Sequence, residues 1–262
     1  MSDISSKDRE AFHGNGNTTT YQSTTSGVIT SSNTVLSIAK VFLYMFAALL
    51  ITAGVAFGVG ALVYYKLVVT GDETIGTPYL IALIVSAVLL FVDMLVINFV
   101  TLKGKHSILV PGIIYAVLVG VLFSMLTIVV DWRLIGMAFG ITSLIFLVMS
   151  LIAFLTKGNL SPILMVVFGL MIGAGLLALL NWIFMLATGT VFTALYWIVT
   201  FAIFAIIMLV AIYDLWRMKK IAEAGALNNN IALYCAFTMY VDFINIFIRI
   251  LYFLIIIFGR RR

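Results

Sequence analysis

The chain has 262 residues, of which 64% are hydrophobic and only 10% charged, and its mean hydropathy is +1.22. A soluble domain of this size could not keep so much apolar surface dispersed, so the composition excludes a soluble globular protein. The apolar runs are continuous rather than alternating, which excludes a β-barrel and predicts an all-α, polytopic membrane helical bundle.

The first 36 residues differ in composition from the rest of the chain. Residues 15–34 read NGNTTTYQSTTSGVITSSNT and show almost no apolar periodicity. This composition predicts a disordered polar cytoplasmic tail over 1–36, followed by a membrane domain over 37–262. The polar stretch before the first apolar run is too long for a signal peptide.

Seven apolar runs follow, each longer than the roughly 20 residues that cross a bilayer. They are Val41–Tyr65, Pro78–Val100, Ile108–Val130, Leu134–Leu155, Leu160–Ala187, Val191–Tyr213 and Ile231–Phe258. Connections as short as DWR and TGT make neighbouring helices antiparallel. The last run has no Pro or Gly break, which favours a full span over a re-entrant segment.

The distribution of Lys and Arg predicts that the N-terminus is cytoplasmic. With that orientation the outer loops carry only Lys66 and Arg133, each accompanied by acidic residues. The inner segments carry Lys7, Arg9, Lys40, Lys103, Lys105, Lys157, Arg217, Lys219 and Lys220. The Gly-Arg-Arg-Arg end at 259–262 disagrees with this bias, because a full last span places it outside.

Motifs for catalysis are missing from the sequence. It contains no HExxH, no CxxC and no phosphate-binding glycine motif, and neither His13 nor His106 falls inside an apolar run. We therefore expect no enzymatic activity, no cofactor and no nucleic-acid partner. The run GVGALV at 58–63 predicts a surface for close helix packing rather than a ligand loop.

Four ionisable residues lie within or at the ends of the apolar runs, where charges usually mark pathways or relays. They are Asp93, Asp214, Asp242 and Arg249. Two structural alternatives stay open. Asp214 has the spacing for an interfacial ion pair with Arg217, three residues on, and Asp242 could pair with Arg249, two helical turns on.

Two segments resemble the transmembrane Bax inhibitor motif family. YVDFINIFIRIL at 240–251 is similar to the signature of that family's last helix, and LVAIYDLWRMKKI at 209–221 is similar to the Tyr-Asp and basic turn that end its sixth helix. The resemblance covers about Val35–Phe258 and is strongest in the last two helices.

The resemblance implies a pH-sensitive calcium leak channel with a pair of aspartates near the cytoplasmic mouth, here Asp214 and Asp242. In bacterial members an arginine at the inner end of the second helix bonds to this pair and locks the closed state. The corresponding segment here reads NFVTLKGKHS, without arginine. Lys103 is the nearest substitute, but it lacks the bidentate fork, so Arg249 is a second candidate for the counter-charge.

These residues lead to a hypothesis for the gate. Two close carboxylates share a proton and titrate as a coupled pair. Asp214 and Asp242 differ in depth along their runs, but the length of the last run allows them to meet. Once deprotonated, they could bind Ca²⁺ transiently with carbonyls and Asn245, and Asp93 is a further candidate on the pathway.

The predicted function is therefore a cation leak, with calcium as the expected ion, linked to stress responses. The predicted partners are the lipid bilayer, calcium and protons, and the predicted location is the bacterial plasma membrane with the N-terminus in the cytoplasm. An alternative of a different class is a regulatory partner of membrane proteases or of stress and cell-death machinery that moves no ion.

Overall fold

The computed structural model describes the backbone over residues 18–71, 73–103 and 108–259, and side chains over 34–71, 74–99 and 108–258. This part of the chain contains seven long helices and no strand. They are α1 (Thr18–Tyr64), α2 (Gly76–Lys103), α3 (Leu109–Val129), α4 (Trp132–Leu155), α5 (Ser161–Thr188), α6 (Thr193–Glu223) and α7 (Asn229–Gly259). A π-helical turn, Tyr65–Val69, and a 3₁₀ turn, Glu73–Ile75, connect α1 to α2.

All seven helices are long and apolar enough to cross a bilayer, as the sequence predicts. The chain is therefore an integral multi-pass membrane protein. Helix α7 is continuous over 31 residues, about 46 Å at the usual rise. A re-entrant segment needs a break at which the chain turns back, and α7 has none, so a full span is the arrangement that fits.

The first helix begins earlier than the hydropathy predicts. It starts at Thr18, so residues 18–36, for which the composition predicts disorder, are helical here. Residues 1–17 lie outside the described part of the chain, and their disorder remains a prediction.

Local polar groups set several helix ends. The Asp131 carboxylate accepts a hydrogen bond from the backbone N–H of Arg133 at 3.0 Å and caps the start of α4. Asn228 caps α7 in the same way through the N–H of Ile231 at 2.9 Å. Gly189 ends α5 in the left-handed conformation, with φ +71°, and its N–H bonds to the Met185 carbonyl.

Helix α7 lies at the centre of the bundle and is the most buried of the seven spans. It packs against α1, α4 and α6, and its aromatic rings also meet α3 through Tyr115. Helices α2 and α5 are peripheral, since α2 packs mainly on α3 and α5 mainly on α6. The helix with the family-like signature is therefore the one surrounded by the others.

Helices α1 and α3 approach each other closely, and this approach depends on glycine. A Cβ on Gly60 would come within 1.9 Å of the Thr127 hydroxyl, and one on Gly120 within 2.7 Å of the Val55 Cβ. Small residues let the two backbones approach in this way. The packing role predicted for GVGALV is confirmed at Gly60, which is also buried.

Candidate functional site

Asp214 and Asp242 come from the two helices that end the chain, α6 and α7, which pack against each other. Asp214 lies nine residues before the end of α6 and Asp242 thirteen after the start of α7, or about 14 Å and about 20 Å along the helix axes. Despite this offset, the two carboxylates are close enough for their charges to repel. The structure thus places the two residues on adjacent helices, and their action as a pair remains a prediction.

The carboxyl group of Asp242 is enclosed by the bundle. The residue is only 7% exposed, and its Oδ2 atom has no hydrogen-bond partner among the residues that the structure describes. Its neighbours on α7 are apolar or aromatic: Tyr240 packs on Tyr115 of α3, and Phe243 packs on Phe139 and Phe146 of α4. A buried, unpartnered carboxylate oxygen is costly unless it is protonated or meets a cation.

Asp214 lies at the more open side of the pair and is half-buried. The exposed guanidinium of Arg217, one turn further along α6, attracts its carboxylate, and the same charge acts on Cys235 of α7. Asp214 and Arg217 do not form an ion pair. Among the described residues, the ion pairs are Lys219–Glu223 at 3.7 Å and Lys220–Glu223 at 3.0 Å. Arg217 therefore contributes a nearby positive charge rather than a contact.

The end of α6 that follows Asp214 is attached to α4. Lys219 Nζ donates to the carbonyls of Phe154 at 2.7 Å and Thr156 at 3.1 Å, and Trp216 Nε1 donates to the Gly158 carbonyl at 3.1 Å. These groups bond to carbonyls that the end of a helix leaves without partners. They hold this end of α6 against the end of α4 and the segment that follows it.

Arg249 does not reach Asp242. It is half-buried, forms no ion pair with a described residue, and exerts its charge on Tyr252 of the next turn instead. Seven residues bring the two side chains to the same face of α7 but separate them by about 10 Å along its axis. The pairing that the sequence left open is therefore not formed here.

Asn245 lies one turn beyond Asp242 on α7, whereas Asp93 lies on another helix, α2. The Asn245 side chain is exposed, and its amide bonds to no described residue. Asp93 of α2 is only 8% exposed, with Oδ2 unpartnered among the described residues, and its charge acts on Tyr115 of α3. It is a second buried acid rather than a member of the site on α6 and α7.

The other predicted counter-charge, Lys103, is the last residue of α2, and its side chain lies outside the described part of the chain. Within the described residues, no group of three or more His, Cys, Asp or Glu side chains could hold a metal ion. Two carboxylates are fewer than the roughly six to eight oxygen ligands that Ca²⁺ takes in a resident site. The pair is suited to brief contact with a cation.

Two cations of α6 contribute more to this region than the sequence indicates. In the sequence, Arg217 is only a surface partner of Asp214, and Lys219 bears only on the orientation of the chain. The i,i+3 spacing of Arg217 from Asp214 is visible in the sequence. The bonds from Lys219 to α4 are not, because they depend on which helices are neighbours.

Comparison with known proteins agrees with the resemblance seen in the last two helices. Residues 33–260 match the model of a protein family described as inhibitor of apoptosis-promoting Bax1. The match spans all of α2 to α7 and most of α1. No curated protein and no solved structure matches the chain significantly.

Proposed function

The chain belongs to the Bax inhibitor-1 family of membrane proteins, and on that premise we propose that it is a pH-sensitive leak channel for cations, with calcium as the main ion. One observation carries the proposal: Asp214 and Asp242 lie on two packed helices, close enough for one charge to act on the other, and Asp242 Oδ2 is buried with no partner among the described residues.

The pair acts as the proton-controlled part of the gate. Two like charges this close in a medium of low polarity are not both present at low cost, so the carboxylates hold one proton between them. A shared proton holds α6 and α7 together in the closed state. When it is lost, the two negative charges repel each other and weaken this contact.

The deprotonated pair also attracts the permeant ion. Ca²⁺ prefers carboxylate and carbonyl oxygens, and two aspartates supply part of such a shell. A partial shell suits conduction, because the ion must leave the site as easily as it enters. No resident metal is required by this mechanism.

Arg217 modulates the pair from the side of Asp214. Its guanidinium favours a negative charge on Asp214. In the closed state, Asp214 therefore carries the single negative charge of the pair, and the more buried Asp242 carries the proton. Lys103 remains a candidate for a further positive charge near the cytoplasmic mouth of the proposed channel. Arg249 is too far from Asp242 to hold it.

The proposed setting is a bacterial plasma membrane with the N-terminus in the cytoplasm. The Lys and Arg distribution supports this orientation. It places the basic end of α6, and therefore the aspartate pair, nearer the cytoplasmic side.

Ion flux into liposomes that contain only this protein tests the proposal. We expect calcium to enter faster than in protein-free liposomes, with a rate that depends on pH between about pH 5 and about pH 8, where a coupled carboxylate pair can titrate. A correctly folded protein that passes neither calcium nor any monovalent cation would contradict it. That result would favour the alternative role, regulation of membrane proteases or stress machinery without transport.

A further inference from the structure

A cleft of about 400 Å³ lies between α1, α3 and α4, with α7 as its floor. Phe243 and Phe247 of α7 are buried at the bottom. Ala53 and Phe57 of α1 line one side, and Gly136 lines the opposite side on α4. The volume is within the range of roughly 300–1,000 Å³ that is typical of small-molecule sites.

The cleft has almost no free polar group. The two hydroxyls that line it belong to Thr52 and Thr127, and both already have backbone carbonyls as acceptors: Ala48 and Ala116 for Thr52, and Ser124 and Ala56 for Thr127. A water molecule needs two or more polar partners to remain in a cavity. The cleft is therefore unsuited to water or a hydrated cation and suited to hydrocarbon.

The walls of the cleft continue into the surface that faces the lipid. Phe57 is 51% exposed and Phe139 is 44% exposed, although both line the cleft. Because α1 and α4 cross the bilayer, these side chains border its hydrocarbon region. The cleft is thus continuous with the protein's interface to lipid.

The mouth of the cleft lies at the short turn between α3 and α4. Trp132 lines the cleft there, and the Arg133 guanidinium lies 5.7 Å from the centre of its ring. Trp is favoured at the boundary between hydrocarbon and headgroups, and Arg binds phosphate well. An apolar cleft with an arginine at its mouth is complementary to a phospholipid.

We propose that this cleft is a phospholipid-binding site, in which one acyl chain lies against Phe243 and Phe247 and the lipid phosphate lies beside Arg133. The site is separate from the aspartate pair, and its occupancy is independent of whether the protein conducts ions. It binds lipid from the leaflet on the side of the α3–α4 turn.

Two glycines of α4 provide a matched test. A Cβ at Gly136 or at Gly140 meets no heavy atom within 4 Å, but only Gly136 lines the cleft. Gly136→Phe should fill the cleft, whereas Gly140→Phe should add the same side chain outside it. Ala53→Phe and Gly54→Phe form a second such pair on α1, since Ala53 lines the cleft and Gly54 does not.

The measurement is native mass spectrometry of the full-length protein, extracted in mild detergent from vesicles of palmitoyl-oleoyl phosphatidylcholine. We expect one lipid to stay bound to the wild type, to Gly140→Phe and to Gly54→Phe. The lipid-bound fraction should fall several-fold in Gly136→Phe and in Ala53→Phe. Arg133→Gln should lower it less, because the acyl chain still has its cleft.

Helical content by circular dichroism and a single peak in size-exclusion chromatography identify the variants that fold. Either matched pair is sufficient to test the proposal. Equal lipid retention in the filled and control variants of a pair would overturn the proposal, as would a wild type that retains detergent only. Unchanged retention in Arg133→Gln would contradict the phosphate contact.

Discussion

The hydroxyl of Tyr240 on α7 lies 2.6 Å from the hydroxyl of Thr52 on α1, in a buried position. Thr52 Oγ1 is also 3.0 Å from the Ala116 carbonyl of α3. The Ala48 carbonyl of α1 lies at the same distance. A threonine hydroxyl has one proton, which goes to one of these two carbonyls, so Tyr240 donates to Thr52. The two residues therefore connect the central helix to α1 and α3, two positions from Asp242.

Removal of this hydrogen bond should destabilise the bundle modestly. Tyr240→Phe and Thr52→Val should each lower the free energy of unfolding by about 0.6–1.7 kcal/mol, from the average to the largest value found for hydrogen bonds between membrane helices. Unfolding in mixed micelles measures this free energy. The double variant should lose less stability than the sum of the losses in the two single variants. Tyr234→Phe is the control, since its hydroxyl bonds to no described residue; an equal loss there would contradict a specific role for the Tyr240–Thr52 bond.

The α1–α3 contact should be intolerant of a methyl group at Gly120. An added Cβ would lie 2.7 Å from the Val55 Cβ and 2.9 Å from the Thr52 carbonyl. We expect Gly120→Ala to destabilise the protein by about 1–3 kcal/mol, as overpacking does. Gly112→Ala on the same helix meets no atom within 4 Å and should be neutral or stabilising by up to about 1 kcal/mol. Equal effects of the two changes on the unfolding midpoint would argue against the close approach.

Hydropathy was sufficient to predict seven spans, because hydrocarbon selects apolar residues over a fixed thickness. It was weaker on helix ends. Helix α6 continues ten residues beyond the predicted Tyr213, through the charged segment to Glu223, because helix formation there does not depend on lipid. The early start of α1 at Thr18 was missed for the same reason, since Ser and Thr are only weakly unfavourable in a helix.

Two motifs in the sequence predict an aspartate pair, whereas the surroundings of the two residues could not be predicted. All seven runs are apolar, so nothing in hydropathy shows that α7 is central or that α6 lies beside it. The pairing of Asp242 with Arg249 was plausible from helical periodicity alone. It fails because two turns of helix separate the side chains by more than an ion-pair distance.

The positive charge that controls the pair should be Arg217. Arg217→Gln removes a charge that favours ionised Asp214, so the pair should hold its proton to higher pH and the calcium leak at a fixed alkaline pH should fall about two- to fivefold, as expected for a partly screened interaction. Arg249→Gln should change the leak less, and Lys103→Gln is expected to act mildly. Calcium flux in liposomes measures all three, and a larger effect of Arg249→Gln than of Arg217→Gln would contradict this assignment.

The proposed orientation can be tested with single cysteines. Cys235 is buried, and Cys235→Ala provides a background without reactive thiols. A cysteine within residues 188–190, or one added after Arg262, should react with an impermeant maleimide from outside intact cells. A cysteine within residues 227–230 should react only after permeabilisation, and its labelling from outside would reverse the orientation.

The pH dependence of calcium flux in Asp214→Asn and Asp242→Asn tests the central claim most directly. In the wild type, flux should rise with pH as the shared proton is lost, by up to about tenfold per pH unit when one proton controls the gate. Each variant keeps the shape of the side chain but has one carboxylate, so the coupled titration should collapse to a single step and most of the pH dependence should disappear. Asp242→Asn should also reduce calcium passage, and the double variant should resemble the worse single variant, because the two residues act as one unit. If both folded single variants keep the wild-type pH profile, the aspartate pair is not the gate.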